Sequence, residues 1–320
     1  MTSTPITRYF APIGGGQRDV MCEDRNQERS LGTVYSVEVD IEDIRRGKCV
    51  RGVEGRGGLR VGHLNINVFG ERKAMGVIRR MKEWGLDVLI LLDTRGTTGE
   101  SVFTRKALVG LMTEVYGEDG SRVLDSPLVE KPKWLVGGQM ALVAPRMVGT
   151  FMELRKCPMG LGVMMELRVK AGIGRLSIVS CYWPSSGRGD ESLYKKVEKW
   201  MEGEGKVGSP NEWVRELAGR RVLKAQEEGV GVILIGDLNR DWGQLRPWAE
   251  RFGLGDLTDG SGQTTTGAVR VDHILGWNTE VYNWGMDMGD TAIGSGNISD
   301  HRAMKELPRR PSKIPHQRQN

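Results

Sequence analysis

Three segments far apart in the chain, HLNIN (63–67), GDLNRD (236–241) and ISDH (298–301), set Asn, Asp or His where an apolar run stops. These side chains hold hard divalent cations, activate water and donate to phosphate oxygens. Polar residues at the ends of apolar strands are a common place for an active site in an α/β protein. Between the three lie LILLDT (89–94), YWPSSGRG (182–189) and VDHIL (271–275), also apolar runs with polar ends. As an ordered set they point to Mg²⁺-assisted cleavage of a phosphate ester.

Taken singly, each position has two readings. Asp237 and Asn239 follow the apolar run Val232–Ile235, and a two-residue strand repeat sends both to one side. There a carboxylate suits the holding of a water and an amide suits an oxyanion. Equally, Asp and Asn in Gly-Asp-Leu-Asn cap the backbone of a turn. Gly236 permits close approach of neighbouring groups. His301, preceded by Asp300, suits donation to a non-bridging phosphate oxygen, and Asp272 is the candidate that fixes its tautomer. Asn65 and Asn67 share a side of their strand, with Leu64 and Ile66 facing the core. Asp93 ends VLILL and supplies the hard oxygen that Mg²⁺ prefers. Tyr182 closes another strand with a phenol that can donate to phosphate. Trp183, Trp242 and Trp248 flank these motifs, where base stacking and ordinary packing both fit.

The elements that must carry these residues follow from periodicity. Strand 59–66, helix 71–85, strand 87–93 and helix 101–116 open a regular pattern at Leu59. Strands near 139–145, 148–156, 161–170 and 174–183 follow with little helical pattern between them. Asp190 and Ser192 open an amphipathic helix in which Leu193, Val197, Trp200 and Met201 share a face. A helix over about 210–228 leads to strand 231–239, and short strands around 264–276 and 280–287 precede the final SDH. Helices mixed with mostly hairpin-linked strands predict an α/β (α+β) fold, a four-layer sandwich of two packed, mostly antiparallel sheets flanked by helices. The expected domain is 59–307. Residues 1–58 read as a disordered or weakly structured extension, within which 33–41 alternates like a strand or an interaction segment, and 308–320 reads as a basic tail. Loops of about 118–138, 184–190 and 240–263 are expected to carry specificity.

Composition narrows the class. The 38% hydrophobic content fits a globular protein with a sizeable core. No apolar run approaches the ~18 residues of a membrane span, and the N-terminus lacks the layout of a signal peptide. The expectation is an intracellular, nuclear protein with no membrane partner and with reduced cysteines. The formal charge of +5 is uneven: residues 45–60 and 301–320 each carry six Lys and Arg against one acid. The basic excess therefore lies in tails and linkers, where solvated ends and phosphate-backbone binding are both open. GVEGRGG follows no strand and lacks GK[ST], so it is no phosphate loop.

In order, the motifs resemble those of the endonuclease/exonuclease/phosphatase superfamily, the fold of abasic-site endonucleases and of the endonuclease domain of LINE-type retrotransposons. RVGHLNIN resembles the retrotransposon form of the opening Asn motif, and DVLILLDTRG is similar to the second motif. YWPSSGRGD resembles a motif of the abasic-site enzymes, and GDLN, RVDHIL and SDH match the last three. The resemblance covers about 59–307 and implies roles. Asp237 would position and deprotonate the attacking water, and Asn239 would steady the transition state. Asp93 would bind Mg²⁺, or Mn²⁺ in its place, with Asn65 or Asn67 and Asp300. His301, oriented by Asp272, and Tyr182 would hold the scissile phosphate, while Ser185, Arg188 and Thr265 would contact the substrate. Asp93 stands where the family has Glu, and Ser185 where many members have Asn. These departures leave lower activity, altered metal preference and a degenerate enzyme as readings.

The implied function is a Mg²⁺-dependent DNA endonuclease that leaves a 3′-hydroxyl, the nicking activity of a retrotransposon in target-primed reverse transcription. DNA and an element-encoded reverse transcriptase are the implied partners. Two alternatives use the same fold: a phosphodiesterase or phosphatase acting on RNA, lipid or inositol phosphate, and a nucleic-acid-binding module with a weakened catalytic centre.

Overall fold

In the run VLILL every residue is apolar and every residue is buried, as a strand covered on both faces requires. The computed structural model describes residues 34–39, 59–66, 69–95, 105–126, 137–171, 174–186, 189, 192–257, 271–279 and 281–287. Among them the chain runs β1 (Val34–Val39), β2 (Leu59–Asn65), α1 (Glu71–Glu83), β3 (Val88–Leu92), α2 (Arg105–Tyr116), β4 (Arg122–Ser126) and β5 (Gln139–Val143). It continues through β6 (Phe151–Lys156), β7 (Met164–Ala171), β8 (Gly174–Tyr182), α3 (Leu193–Gly203), α4 (Pro210–Glu227) and β9 (Gly231–Asp237). Then come α5 (Trp242–Arg251), β10 (Gly255–Asp256), β11 (Asp272–Trp277) and β12 (Val281–Asp287).

The strands form two sheets, ordered β12-β1-β2-β3-β5-β4 and β10-β11-β9-β8-β7-β6. In each sheet one central pair is parallel, β2–β3 in the first and β8–β9 in the second. Helices span both crossovers, α1 in the first and α3 with α4 in the second, as parallel neighbours require. All the other pairs are antiparallel.

Alternation along each strand sorts the apolar residues into three layers. Leu64, Ile66, Leu89, Leu91 and Leu142 face outward to Ala74, Val77, Ile78 and Met81 of α1 and Leu108 and Met112 of α2. Val61, Val88, Ile90, Leu92 and Ala141 face inward, against Met165, Leu167, Ile178, Ile233, Ile235 and Ile274 of the second sheet. Val179, Val232, Leu234 and Leu275 face the opposite way, onto Val197, Val214, Ala218, Val222 and Trp248 of α3, α4 and α5. This is the four-layer sandwich the sequence predicts. Each buried Val, Leu or Ile contributes roughly 1.5–3 kcal/mol of transfer free energy, so the central layer fixes how the sheets face one another.

The strand reading of 33–41 holds, with β1 paired between β12 and β2. Several other elements differ from their sequence-based expectations. The stretch 118–138 contains β4, and 240–263 contains α5 and β10, where loops were expected. Pro247 lies inside α5 and reads as a breaker, yet Asp241 caps the helix by accepting from Gln244 N at 3.0 Å, and Leu245, Trp248 and Ala249 are buried. The expected strand 148–156 begins as a 3₁₀ turn over Pro145–Thr150. The expected strand 231–239 stops at Asp237. Among the described residues, no helix is long and apolar enough to cross a membrane.

Candidate active site

The central layer changes from apolar to polar at one end of the sandwich. Ile233 and Ile235 of β9 point into it, and Asp237 is the next residue on that face. Gly236 makes the neighbouring strand approach possible. Its φ is +152°, and a Cβ there would stand 1.9 Å from the Cys181 carbonyl oxygen. Asp237 is in register with Tyr182 of β8 on one side and Asp272 of β11 on the other. Trp183 N donates to the Asp237 carbonyl at 2.9 Å, and Leu238 N donates to that of Val271 at 2.8 Å.

The first sheet meets this row from the other side. Asn65, at the end of β2, donates from Nδ2 to Asp237 Oδ2 at 2.9 Å, and both residues are buried. The bond joins residues 172 positions apart. Asn239 N donates to Asp237 Oδ1 at 3.1 Å, so each carboxylate oxygen accepts from a fixed N–H. Two residues back along β2, fully buried His63 has Nε2 3.9 Å from Asp272 Oδ1. Asp237 and Asp272 are thus two buried carboxylates directly opposite on paired strands, a like-charge pair that calls for donors or a cation beside it.

Asp93 is one residue past Leu92, the register partner of Asn65, which puts it at the same end of the first sheet. Its carboxylate is already engaged. Oδ1 accepts from Gly137 N at 2.7 Å, and Oδ2 accepts from Arg95 Nε at 3.0 Å and Nη2 at 2.8 Å. Asp93 and Arg95 both adopt left-handed backbone, with φ of +51° and +53°. Thr94 N and Arg95 N bond to the carbonyls of Gly138 and Gly137, which pins the turn.

Asn239 is also left-handed, with φ +48°, and lies beyond the strand, so the two-residue repeat does not extend to it. Its Nδ2 donates to the Trp183 carbonyl at 2.7 Å. The bond from its N–H to Asp237 is the turn-capping contact that formed the alternative reading, and here it also orients the carboxylate. His273 Nε2 pairs with the Arg240 carbonyl at 2.7 Å and holds that loop. Tyr182 is half-buried and packs in part against the outer, helix-side cluster. Ser185 is exposed. Asn67, Arg188, Thr265, Asp300 and His301 lie outside the described residues.

Of the three tryptophans, Trp183 and Trp248 are buried edge-to-face with centroids 5.1 Å apart, so they pack rather than stack on a base. Trp242 is half-buried, 6.3 Å from the His273 ring. Cys157 and Cys181 are buried, and burial pushes the Cys181 thiol well above its ordinary pKa, which leaves it inert as a nucleophile. Two polar residues of this layer carried no role in the sequence reading. His63 had a signal, since it is two residues before Asn65 and shares its face. Gln139 is fully buried, pairs in register with Leu92, and has an amide with no hydrogen-bond partner among the described residues. Its only signal was a Gln beginning an apolar strand.

Among the described residues no three His, Cys, Asp or Glu side chains converge as a metal cluster. The chemistry of the donors still suits Mg²⁺, which takes one or two carboxylates and keeps several waters. Three buried carboxylates, Asp93, Asp237 and Asp272, line this end of the sandwich. With Nδ2 given to Asp237, Asn65 has only its amide oxygen to offer a cation.

No protein-family model matches the chain, and no curated protein matches it. Similar solved structures include an AP endonuclease from Archaeoglobus fulgidus, 16% identical over 68% of this chain and 86% of that one, with TM-score 0.45. Another is an endonuclease/exonuclease/phosphatase family protein from Leptotrichia buccalis, at 13% identity, 68% and 87% coverage and TM-score 0.42. The 3′-5′ exonuclease NExo from Neisseria meningitidis matches at 16% identity, 68% and 86% coverage and TM-score 0.43.

Proposed function

We propose that the chain is a divalent-metal-dependent phosphodiesterase of the endonuclease/exonuclease/phosphatase type, acting on DNA as an endonuclease. Target-primed nicking for a retrotransposon, with an element-encoded reverse transcriptase as partner in the nucleus, is the biological setting we infer from RVGHLNIN and its companion motifs. The observation that carries the reading is the Asn65–Asp237 hydrogen bond, which unites the opening motif with GDLN across the two sheets.

The chemistry assigned to these residues is in-line hydrolysis. Asp237, held by N–H donors from Asn65 and Asn239, takes a proton from the attacking water. The water oxygen bonds to phosphorus as the P–O bond to the 3′-oxygen breaks, and that oxygen takes a proton from solvent to leave a 3′-hydroxyl opposite a 5′-phosphate. When bound, a divalent cation would supply neutralisation of the charge growing on the phosphate and the leaving oxygen. Asp93 and Asn65 would hold it, joined by Asn67 and Asp300. His301, oriented by Asp272, and the Tyr182 phenol donate to the scissile phosphate. Ser185, Arg188 and Thr265 contact the substrate around it.

Conversion of supercoiled plasmid to open circle in Mg²⁺ tests the reading, with a polymerase then extending the nick. Extension without prior end repair is expected from a 3′-hydroxyl. Turnover of inositol phosphate or poly(A) with intact plasmid would move the assignment to another substrate of the same fold. One observation favours a weakened binding module: the Asp93 carboxylate is saturated by Arg95 and Gly137. Plasmid retarded in a gel but never nicked would support it.

A further inference from the structure

Beside the Asp237–Asn239 turn stands a guanidinium with no carboxylate of its own. Arg215 lies in the second turn of α4, which runs back to the start of β9, so that turn sits at the end of the sandwich where β9 finishes in Asp237. Its Cζ is 5.6 Å from the centroid of the Trp183 ring. Trp183 belongs to the backbone frame of the site: its N donates to the Asp237 carbonyl at 2.9 Å, and its carbonyl accepts from Asn239 Nδ2 at 2.7 Å. Arg215 is half-buried, and its Nε is sealed with no hydrogen-bond partner among the described residues. The two acids nearest along the helix are committed elsewhere. Glu212 accepts from Ser209 N at 3.1 Å in the helix cap, and Glu216 accepts from Arg251 Nη1 at 2.9 Å.

Arg240 brings a second positive charge to the same place. It follows Asn239, and among the described residues its guanidinium donates to the Asn239 carbonyl alone, at 2.9 Å. Its own carbonyl pairs with His273 Nε2 at 2.7 Å, which fixes the loop. Burial, and after it the charge of Arg240, hold the Arg215 pKa below its ordinary value, so the two guanidiniums repel one another. A half-buried guanidinium loses hydration that no carboxylate replaces here, and a like charge nearby adds to that cost. An anion with several oxygens relieves both penalties, and the planar donor fork of Arg matches phosphate.

We propose that Arg215 and Arg240 together hold a second phosphate of the substrate strand, beside the one that is cleaved, on the α4 side of Asp237. This rests on the nuclease reading for its ligand, and binding without turnover tests it separately. Fluorescence anisotropy of a labelled duplex oligonucleotide, titrated with the full chain in EDTA at several salt concentrations, reads it directly. Each phosphate neutralised contributes about 0.9 to the slope of log affinity against log salt. The double variant Arg215→Gln, Arg240→Gln is expected to lose about tenfold in affinity and about 0.9 of that slope, and each single variant a part of both. Arg215→Met keeps the packing on Trp183 and removes the charge. It is expected to melt at or above the wild-type temperature, because a charge without a partner is gone, yet to bind the oligonucleotide more weakly. Arg240→Gln alone, a change in the loop, serves if the Arg215 variants do not fold.

Affinity and slope unchanged in the double variant overturn the subsite, and inorganic phosphate bound by the wild type but not by that variant would then mark a site for the free ion. A slope loss of about 1.8 also overturns it, since the two residues would then hold separate phosphates. A wild type that binds no oligonucleotide overturns it too. Arg215→Met that melts lower with affinity intact makes Arg215 a packing residue and overturns its part. Variants that behave as expected while the wild type never nicks DNA would retain the subsite and remove the endonuclease assignment. Nicking by the wild type with equal binding by the double variant would do the reverse.

Discussion

Asn65 and Asp237 each depend on the other. The amide gives the carboxylate a fixed orientation at 2.9 Å, and the carboxylate absorbs a buried N–H that water cannot reach. Asn65→Ala therefore removes a positioning donor and leaves a buried acceptor short of one bond, at a cost of about 1–3 kcal/mol in stability. A urea melt should show that loss, and single-turnover nicking should fall by about 10–100-fold, since the base stays but its aim is lost. A melt that loses stability with nicking unchanged would make the pair purely structural. The sequence pointed to Asn65 and Asp237 because strand-end polar residues are visible against the apolar runs VGHL and VILI. It gave no hint of the Arg95 contact, which follows from two positive φ angles that composition does not encode. Of the two readings of Asn239 the turn holds and the strand alternation does not: once φ is +48°, alternation no longer says where a side chain goes.

At the scale of elements, the site depends on β8 and β9 running parallel and close, with Tyr182 and Asp237 at the same level. Gly236 is the residue that allows this. Gly236→Ala brings a Cβ to 1.9 Å from the Cys181 carbonyl, a clash with backbone that no rotamer relieves. The expected result is a loss of several kcal/mol, in the range of the larger single-residue effects, roughly 4 or more, with activity lost in whatever fraction still folds. Thermal melts and circular dichroism would read it, and a variant as stable as the wild type would refute this packing. Strands with continuous apolar runs and helices with a clean apolar face were legible. β4 was not, since RVLDS is short and mostly polar, and neither was α5, whose Pro247 reads as a stop although Asp241 caps it and Trp248 anchors it. For the same reason two of the expected specificity loops contain regular structure.

At the scale of the molecule, the two sheets bring together residues from opposite ends of the chain at the polar end of one apolar layer. The layer order was readable, because β3 and β9 are apolar on both faces and so must be covered twice. The pairing of β1 between β12 and β2 was less so, since a lone alternating stretch fits a strand or an interaction segment equally well. Under the proposed function, the three buried carboxylates Asp93, Asp237 and Asp272 would make activity depend on added divalent ions. Chelation with EDTA should abolish nicking, and Mg²⁺ or Mn²⁺ should restore it, with plasmid relaxation as the readout. Full activity in EDTA would contradict a metal-assisted mechanism.

The central claim is that Asp237 is the base of a DNA-cleaving site. Nicking of supercoiled plasmid by wild type and by Asp237→Asn, at equal concentration in Mg²⁺, tests it most directly. Asn keeps the shape but has a single acceptor oxygen, so it accepts from only one of Asn65 and Asn239, and it cannot take a proton from water. The rate should therefore fall by about 10²–10⁴-fold while the melting curve remains cooperative. Equal nicking by the two proteins, or none by the wild type, would contradict the account.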